Sequence, residues 1–460
     1  MIIGHRFDKT ILREYDIRGI VGKNLNTADA LALGRTLGTI SAASGGQVAV
    51  VGYDGRHSSP SLEEELCRGL ASTGHFVLRV GLVPSPALYF ASKALKADVA
   101  VMVTGSHNPG QYNGFKMLMN NKPFFGERIQ ELRDLAARGI WRENRGGILD
   151  VGSITAGYVT RLIKDYNSYK GLKIVWDPGN GAAGPATIAL ANALPGEHYI
   201  INDKVDGTFP NHHPDPTVAE NLVQLQEAVA EYEADLGIAF DGDGDRIGVV
   251  DSQGRILWGD QLLAILSRDV LRNCPGQSII ADVKASQMLF DEVARLGGNP
   301  IMSPTGHSII KSNMMKYNAP LAGEMSGHIF FGDKYYGYDD ALYTAVRLIN
   351  YLVTTNQTLD SLRDDLPQVV NTPEIRVDVD ESRKFGIIDE IKTRLAEAGA
   401  DVNDMDGVRV NEKGGWWLIR ASNTQNALVV RCEATNESRL EELKDKVRDQ
   451  FSMCDVSDPF

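Results

Sequence analysis

The segment with the densest chemistry is AFDGDGDRIGVVD, residues 239–251, in which Asp241, Asp243 and Asp245 alternate with glycines after an apolar run. Three carboxylates so close together repel one another, and the arrangement is costly unless a cation lies among them. The sequence therefore predicts a catalytic magnesium loop, with a solvated acidic turn as the alternative. An EF-hand does not fit, because it needs glycine and glutamate where this chain has Arg246 and Ser252. Arg246 is suited to share a phosphate oxygen with the metal.

A second segment, VAVMVTGSHNPGQYNGFK at 99–116, presents a serine next to a histidine. The apolar strand ends at Thr104 and Gly105 allows a sharp turn, so Ser106 and His107 are expected at the carboxyl end of a strand, where open α/β sheets bind ligands. Ser106 is thus a candidate phosphoryl carrier. The alternative is that Ser106 caps a helix and His107 is a turn residue.

Two further loops suit a phosphorylated sugar. In GEMSGH at 323–328, a carboxylate and a nearby hydroxyl can bind vicinal sugar hydroxyls. In RASNT at 420–424, a guanidinium, hydroxyls and backbone N–H groups can form a phosphate cradle. Taken alone, each loop is also compatible with an ordinary polar turn. The candidate binding residues are Glu324, Ser326, His328, Arg420, Ser422, Asn423 and Thr424.

Two other functions compete with phosphoryl transfer through a serine. A magnesium-dependent sugar-phosphate phosphatase would use Asp241 as nucleophile. A dinucleotide-binding oxidoreductase would use the GxGxxG match at 179–184, with Asp203 at a suitable distance beyond it. However, Asp177 and Pro178 lie between the apolar run and the first glycine, where that fingerprint requires a tight turn.

Three segments, at 47–60, 172–185 and 278–286, share one rhythm: an apolar run ends in aspartate, and a turn and a helical pattern follow. This predicts three related mixed-sheet α/β domains. After about 365 the pattern changes to a strand at 372–380, a helix at 381–398, two strands and a helix from 438, which predicts a smaller α+β domain. We expect domains at 1–150, 151–253, 254–366 and 367–460 around a central cleft.

Composition limits the partners. The 460 residues include 47 basic and 60 acidic side chains, a formal charge of −13, which argues against nucleic-acid and membrane partners. Four dispersed cysteines, no signal peptide and no long apolar stretch predict a cytoplasmic protein. We expect a monomer that binds small molecules.

Together, in this order, the four motifs resemble the α-D-phosphohexomutase superfamily, and the resemblance covers essentially the whole chain. TGSHNP is similar to the family's phosphoserine loop, DGDGDR to its metal loop, GEMSGH to its sugar-binding loop and RASNT to its phosphate-binding loop. The resemblance implies reversible interconversion of hexose 1- and 6-phosphates of glucose and mannose, through a phosphoserine and a hexose 1,6-bisphosphate. It also implies Mg²⁺ as cofactor and glucose 1,6-bisphosphate as activator.

The resemblance also implies roles for single residues. Phosphorylated Ser106 would join the three aspartates as a metal ligand. The opening FDKTILREYDIRG implies substrate contacts for Tyr15 and Arg18, and the family's other basic site residues match Lys116, Lys284 and His307. The general base stays open among His107, Lys116 and His307.

Overall fold

The chain forms the same four-strand unit three times. In the computed structural model, which describes residues 4–423 and 425–460, each unit has a central strand with a parallel strand on either side. A fourth strand runs antiparallel next to the third. Three mixed-sheet α/β domains and a smaller C-terminal α+β domain are therefore confirmed, with strands and helices alternating as parallel pairing requires.

The first domain contains strands β1 (Ile17–Ile20), β2 (Val48–Tyr53), β3 (Phe76–Leu82), β4 (Val99–Val103), β5 (Tyr112–Met119), β6 (Lys122–Pro123) and β7 (Gly147–Asp150). Its helices are α1 (Thr27–Ala43), α2 (Ser59–Ala71), α3 (Ser85–Ala94) and α4 (Glu127–Arg138), after a 3₁₀ turn at Lys9–Ile11. The strand order is β1-β5-β4-β2-β3-β7, and β6 pairs with β5. All of β4 is buried, as expected for an apolar strand covered on both faces.

The second domain contains helix α5 (Thr155–Ile163), strand β8 (Leu172–Asp177), helix α6 (Gly184–Ala193), strand β9 (Gly196–Ile200), helix α7 (Val223–Glu231) and strands β10 (Leu236–Phe240), β11 (Ile247–Asp251) and β12 (Ile256–Leu257), with a 3₁₀ turn at Ala219–Leu222. Its strand order is β12-β11-β10-β8-β9. The fully buried β10 leads straight into the aspartate-rich segment. That segment is therefore placed at the carboxyl end of a central strand.

The third domain contains helix α8 (Gly259–Asn273), strand β13 (Ser278–Asp282), helix α9 (Gln287–Arg295), strand β14 (Asn299–Ser303), helix α10 (His307–Tyr317), strands β15 (Leu321–Gly323) and β16 (Ile329–Phe331), and helices α11 (Ala341–Thr355) and α12 (Leu359–Asp364). The strand order is β14-β13-β15-β16. In all three units the loop between the third and fourth strands carries a predicted motif. Repetition of one unit thus places three motifs at equivalent positions.

The C-terminal domain is an antiparallel sheet with two helices. It contains β17 (Val370–Asn371), β18 (Ile375–Asp378), α13 (Lys384–Glu397), β19 (Val402–Asn403), β20 (Val408–Glu412), β21 (Gly415–Ala421), β22 (Ala427–Ala434) and α14 (Glu437–Ser452). The strand predicted at 372–380 is shorter than expected, because Pro373 has no N–H to donate and pairing with β22 is interrupted there. The exact domain boundaries near 150, 253 and 367 stay a prediction.

A buried carboxylate joins the second domain to the third. Asp340 caps the N-terminus of α11 and accepts hydrogen bonds from Tyr158 Oη of α5 (2.8 Å), Tyr335 Oη (2.8 Å) and the N–H of Tyr343 (2.9 Å). Burial raises the pKa of Asp340 to about 7.

None of the helices in the described part of the chain combines the length and apolarity needed to cross a bilayer.

We expect Asp340 to make stability depend on pH. Because the folded pKa of Asp340, about 7, lies above the ordinary value for aspartate, its favourable contribution to the free energy of unfolding is complete below about pH 4 and is lost as the pH rises from there through 7. Asp340→Asn removes this titration. Between pH 4 and 8 the free energy of unfolding of the wild type, measured by thermal denaturation, should therefore fall relative to that of the variant by up to about 4 kcal/mol. Exposed Asp378→Asn is the control. Parallel curves for wild type and Asp340→Asn would contradict the prediction.

Candidate active site

Ser106 lies in a strained and tightly held loop between β4 and β5. Its φ is 50°, a left-handed conformation that is costly for a residue other than glycine. The N–H of Ser106 donates to Thr104 Oγ1 (2.8 Å), and Asp54 Oδ2 accepts from Thr104 Oγ1 (2.8 Å) and from the N–H of Gly105 (3.1 Å). Buried Arg56 donates to the carbonyl of Ser106 (2.7 Å). The backbone is thus fixed around the serine, as a positioned nucleophile requires.

The Ser106 hydroxyl has two functional partners. It donates to Asp241 Oδ2 at 2.9 Å, and its Oγ lies 3.1 Å from His107 Nδ1. Burial and the charge of Arg246 hold the pKa of His107 well below its ordinary value. His107 is therefore neutral near pH 7 and able to accept a proton.

The three aspartates of the predicted metal loop converge in the protein interior. Asp241, Asp243 and Asp245 are fully buried, and one oxygen from each lies within 4.8 Å of the others. Lys116 Nζ, from β5, donates to Asp243 Oδ2 and Asp245 Oδ2, both at 2.6 Å. Burial and the two neighbouring carboxylates raise the pKa of Asp241 well above its ordinary value. Burial alone would raise the pKa of Asp243 as well, but the charge of Lys116 and the hydrogen bonds from Lys116 and Ser85 together outweigh burial and lower the pKa.

The aspartate cluster fits a divalent cation. Among the described residues, the buried atoms Asp243 Oδ1 and Asp245 Oδ1 have no hydrogen-bond partner. An unpartnered buried carboxylate oxygen is unfavourable unless something else compensates it. Carboxylate oxygens are the ligands that magnesium prefers, so this donor set suits that ion.

A second triplet of Asp245, His328 and Asp339 also lies within 4.8 Å, but the hydrogen bond from Arg246 to His328 argues against a metal there. Arg246 Nε donates to His328 Nε2 at 3.0 Å, so Nε2 carries a lone pair and the ring proton lies on Nδ1. His328 Nδ1 is 3.1 Å from Asp339 Oδ2 and 3.5 Å from Asp245 Oδ1. A protonated nitrogen is not a metal ligand, and His328 instead holds Arg246, which lines the cleft.

The GxGxxG segment at 179–184 packs against the aspartate-rich loop that is the predicted metal loop. The N–H of Ala182 donates to the carbonyl of Gly242 at 3.0 Å, and a Cβ on Gly181 would lie 2.8 Å from the same oxygen. The helix after this segment begins only at Gly184. These glycines therefore allow close packing against the aspartate-rich turn, which explains them without a dinucleotide.

The third domain contributes a carboxylate and two basic residues. Glu324 is buried, and its Oε1 accepts from the N–H of Gly306 at 2.6 Å. His307 begins α10, and burial and the charge of Lys311 lower its pKa. Lys284 follows β13, and its Nζ donates to Glu374 Oε2 of the C-terminal domain at 2.8 Å.

The C-terminal loop reaches the first domain. Arg420 Nε donates to Asp406 Oδ2 at 3.1 Å, and Asn423 Nδ2 donates to Tyr15 Oη at 2.8 Å. Ser422 Oγ accepts from the N–H of Gln425 at 3.1 Å. Thr424, the fourth predicted binding residue of this loop, lies outside the described residues.

The opening segment contributes a cation to the same region. Arg18 donates to Asn108 Oδ1 at 2.6 Å and to Asp16 Oδ2 at 2.5 Å. Asn108 belongs to the Ser106 loop, so Arg18 lies close to the phosphoryl-carrier candidate. Burial raises the pKa of Tyr15, which keeps its hydroxyl protonated.

One cleft of about 550 Å³ brings the predicted residues together. Its lining includes Tyr15, Arg18, Ser106, His107, Lys116, Arg246, Lys284, His307, Glu324, Ser326, His328, Arg420, Ser422 and Asn423. The three aspartates lie behind this lining and reach it through Ser106 and Lys116. All four domains therefore contribute to a single site.

Several residues of the cleft were not indicated by the sequence. They include Asp16, Trp258, Thr305, Glu374 and Arg376. The proline that interrupts the strand pattern at 372–380 was a usable signal, because such a break marks a loop. Asp16, Trp258 and Thr305 are single residues between helices and strands, and no pattern in the sequence distinguishes them.

Comparisons with known proteins agree with this architecture. Four family models, described as phosphoglucomutase/phosphomannomutase alpha/beta/alpha domains I, II and III and C-terminal domain, match residues 9–142, 156–254, 258–370 and 374–450. A phosphomannomutase/phosphoglucomutase of Pseudomonas putida is 44% identical over 96% of this chain and 95% of that protein. A phosphoglucomutase of Neisseria gonorrhoeae is 40% identical over 96% of each chain.

A solved structure gives the same result. The crystal structure of a phosphoglucomutase/phosphomannomutase family protein from Burkholderia thailandensis is 39% identical, with a TM-score of 0.93 over 99% of this chain and 100% of that chain. Neither the phosphatase nor the oxidoreductase alternative is supported by these matches. The chain belongs to the phosphoglucomutase/phosphomannomutase family.

Proposed function

We propose that this protein interconverts hexose 1-phosphates and hexose 6-phosphates, with Ser106 as the phosphoryl carrier. The observation that carries the proposal is the position of Ser106 Oγ, 2.9 Å from Asp241 of a buried carboxylate triad. A serine beside a cation-binding cluster suits phosphoryl transfer, because catalysis there depends on positioning and on stabilising negative charge.

Each half-reaction transfers one phosphoryl group. A sugar hydroxyl attacks the phosphorus on Ser106, its oxygen–phosphorus bond forms, the bond to Ser106 Oγ breaks, and the hydroxyl proton passes to a base. The resulting 1,6-bisphosphate turns over and returns its other phosphoryl group to Ser106. Glucose 1,6-bisphosphate would act as activator because it phosphorylates a free Ser106.

The base is best sought among the neutral histidines. His107 lies 3.1 Å from Ser106 Oγ, and burial keeps both His107 and His307 unprotonated. Lys116 is protonated, because the charges of Asp243 and Asp245 more than offset the effect of burial on its pKa. Lys116 is thus better suited to stabilise the transferring phosphoryl group, together with Arg246.

Magnesium is the proposed cofactor. Asp241, Asp243, Asp245 and a phosphate oxygen on Ser106 would hold the ion, which would supply positive charge to the transferring phosphoryl group. Arg420, Ser422, Asn423 and Thr424 would bind the phosphate that is not reacting. We further propose that the protein acts as a monomer on small hexose phosphates in the cytoplasm.

The experiment that tests the function uses purified protein with glucose 1-phosphate, Mg²⁺ and a trace of glucose 1,6-bisphosphate. Glucose 6-phosphate should accumulate to equilibrium, with little inorganic phosphate and with a strong dependence on the bisphosphate. Stoichiometric release of inorganic phosphate would instead establish a phosphatase.

Removing the proposed carrier should abolish covalent phosphorylation. In Ser106→Ala, intact-mass measurement after incubation with the bisphosphate should show no added phosphate, and turnover should fall by about a thousandfold or more. The matched control is Ser44→Ala at an exposed helix end. Wild-type turnover in Ser106→Ala, with phosphate on Asp241, would contradict the assignment.

Removing one triad carboxylate should weaken magnesium binding. Calorimetric titration of Asp241→Ala, Asp243→Ala and Asp245→Ala should show affinities reduced by at least about tenfold, because each variant loses a ligand. The fold should persist, since two buried carboxylates repel less than three. Asp445→Ala, at a surface position, is the control. Unchanged affinity in all three triad variants would rule out this site.

Glucose and mannose phosphates should both be substrates. Glu324 and Ser326 are proposed to bind the O3 and O4 hydroxyls, which the two sugars share, and Glu324 Oε2 is the oxygen available because Oε1 binds Gly306. An unrecognised C2 hydroxyl seldom contributes more than about 1 to 3 kcal/mol, so kcat/KM for the two 1-phosphates should agree within about a hundredfold. N-acetylglucosamine phosphate, with its bulky C2 group, should react more poorly. A preference between glucose and mannose beyond about a thousandfold would show that C2 is recognised.

A further inference from the structure

Asp406 lies between two parts of the proposed site that belong to different domains. It is in the turn before β20 of the C-terminal domain, and its side chain is only 14% exposed. A single oxygen, Oδ2, accepts from Arg420 Nε at 3.1 Å and from the backbone N–H of Thr305 at 2.9 Å. One carboxylate thus contacts the phosphate-binding loop and the turn that precedes His307.

The turn at Thr305 is fixed from several directions. Its carbonyl accepts from Tyr15 Oη of the first domain at 2.7 Å, and the next N–H, of Gly306, donates to Glu324. Gly306 has a φ of 137°, and a Cβ there would lie 2.6 Å from the Tyr15 ring. Asp406 adds a further bond to this turn, at the N–H of Thr305. The position of His307, the first residue of α10, depends on that turn.

The backbone around Asp406 is built for close contact with Arg420. Gly407 follows with a φ of 85°, and a Cβ there would lie 2.5 Å from Arg420 Cβ. With Nε bound by Asp406, the two terminal nitrogens of Arg420, which lines the cleft, make no hydrogen bond to another described residue.

We propose that Asp406 is a positioning residue that holds both Arg420 and the Thr305–His307 turn in their working positions. The inference rests on the proposed function, because it concerns the roles of Arg420 and His307 in that reaction. Through Arg420, Asp406 sets the binding of the phosphate that is not reacting. Through Thr305, it sets the position of a candidate base.

Two substitutions of Asp406 that keep a polar side chain distinguish the effect of the carboxylate's position from the effect of its charge. Asp406→Glu keeps the charge but displaces the carboxylate by about 1 Å, so kcat/KM for glucose 1-phosphate should fall at least about tenfold. Asp406→Asn keeps an acceptor oxygen in place and should stay within about threefold of the wild type. Asp404→Glu, whose side chain is 76% exposed two residues earlier, is the matched control and should not change. Wild-type activity in Asp406→Glu would overturn the proposal.

A double-variant cycle distinguishes positioning from general stability. Asp406→Ala should raise KM at least about tenfold in the wild type but have little further effect on KM in Arg420→Ala, while still lowering kcat through the Thr305 turn. Equal losses of kcat/KM in both backgrounds would indicate a structural role only and overturn the proposal. If Asp406→Ala fails to fold, as its melting curve would show, the Asp406→Glu comparison decides.

Calorimetry with glucose 6-phosphate separates this inference from the proposed function. If the wild type binds the sugar phosphate but shows no mutase turnover, the proposed function fails while Asp406 remains testable. Weaker binding in Asp406→Glu than in Asp404→Glu then supports the positioning role. Equal binding in the two variants overturns it.

Discussion

The structure depends most on the cost of burying three carboxylates side by side. Asp241, Asp243 and Asp245 are fully excluded from solvent, next to a serine proposed to carry a phosphate with two negative charges. Lys116 compensates only part of this charge, and its contacts are to Asp243 and Asp245. An additional cation would complete the balance, so metal binding, covalent phosphorylation and the arrangement of basic residues are parts of one electrostatic problem.

Repetition of one structural unit places the functional loops of the first three domains at equivalent positions. In each of the first three domains the functional loop follows the third strand of the unit. In two of these domains an aspartate at or just after the end of the first strand holds the loop by a hydrogen bond. Asp54 accepts from the N–H of Gly105 in the first domain, and Asp282 accepts from the N–H of Met325 at 3.2 Å in the third. In the second domain the glycine-rich turn has this role through the carbonyl of Gly242. The three loops are therefore held to the sheet by similar local means, and the C-terminal domain adds the fourth.

The sequence predicted much of this because the relevant signals are local. Apolar runs ending in aspartate identified the first strand of every repeated unit. The residue types and spacing of the motifs around Ser106 and Asp241 indicated phosphoryl transfer and metal binding. The supporting contacts could not be predicted in the same way. Arg56, Asp339 and Asp406 are single charged residues in turns or loops, and their roles arise only when distant segments meet. The interruption at Pro373 was underestimated because alternation alone does not show where pairing stops.

The most direct test is a crystal structure of the protein phosphorylated by the bisphosphate and soaked with Mg²⁺. We expect phosphate on Ser106 Oγ and one ion bound by Asp241, Asp243, Asp245 and a phosphate oxygen, with metal–oxygen distances of about 2.1 Å. A metal bound away from the triad, or phosphate on another residue, would show that the buried carboxylates and phosphoserine do not share one cation.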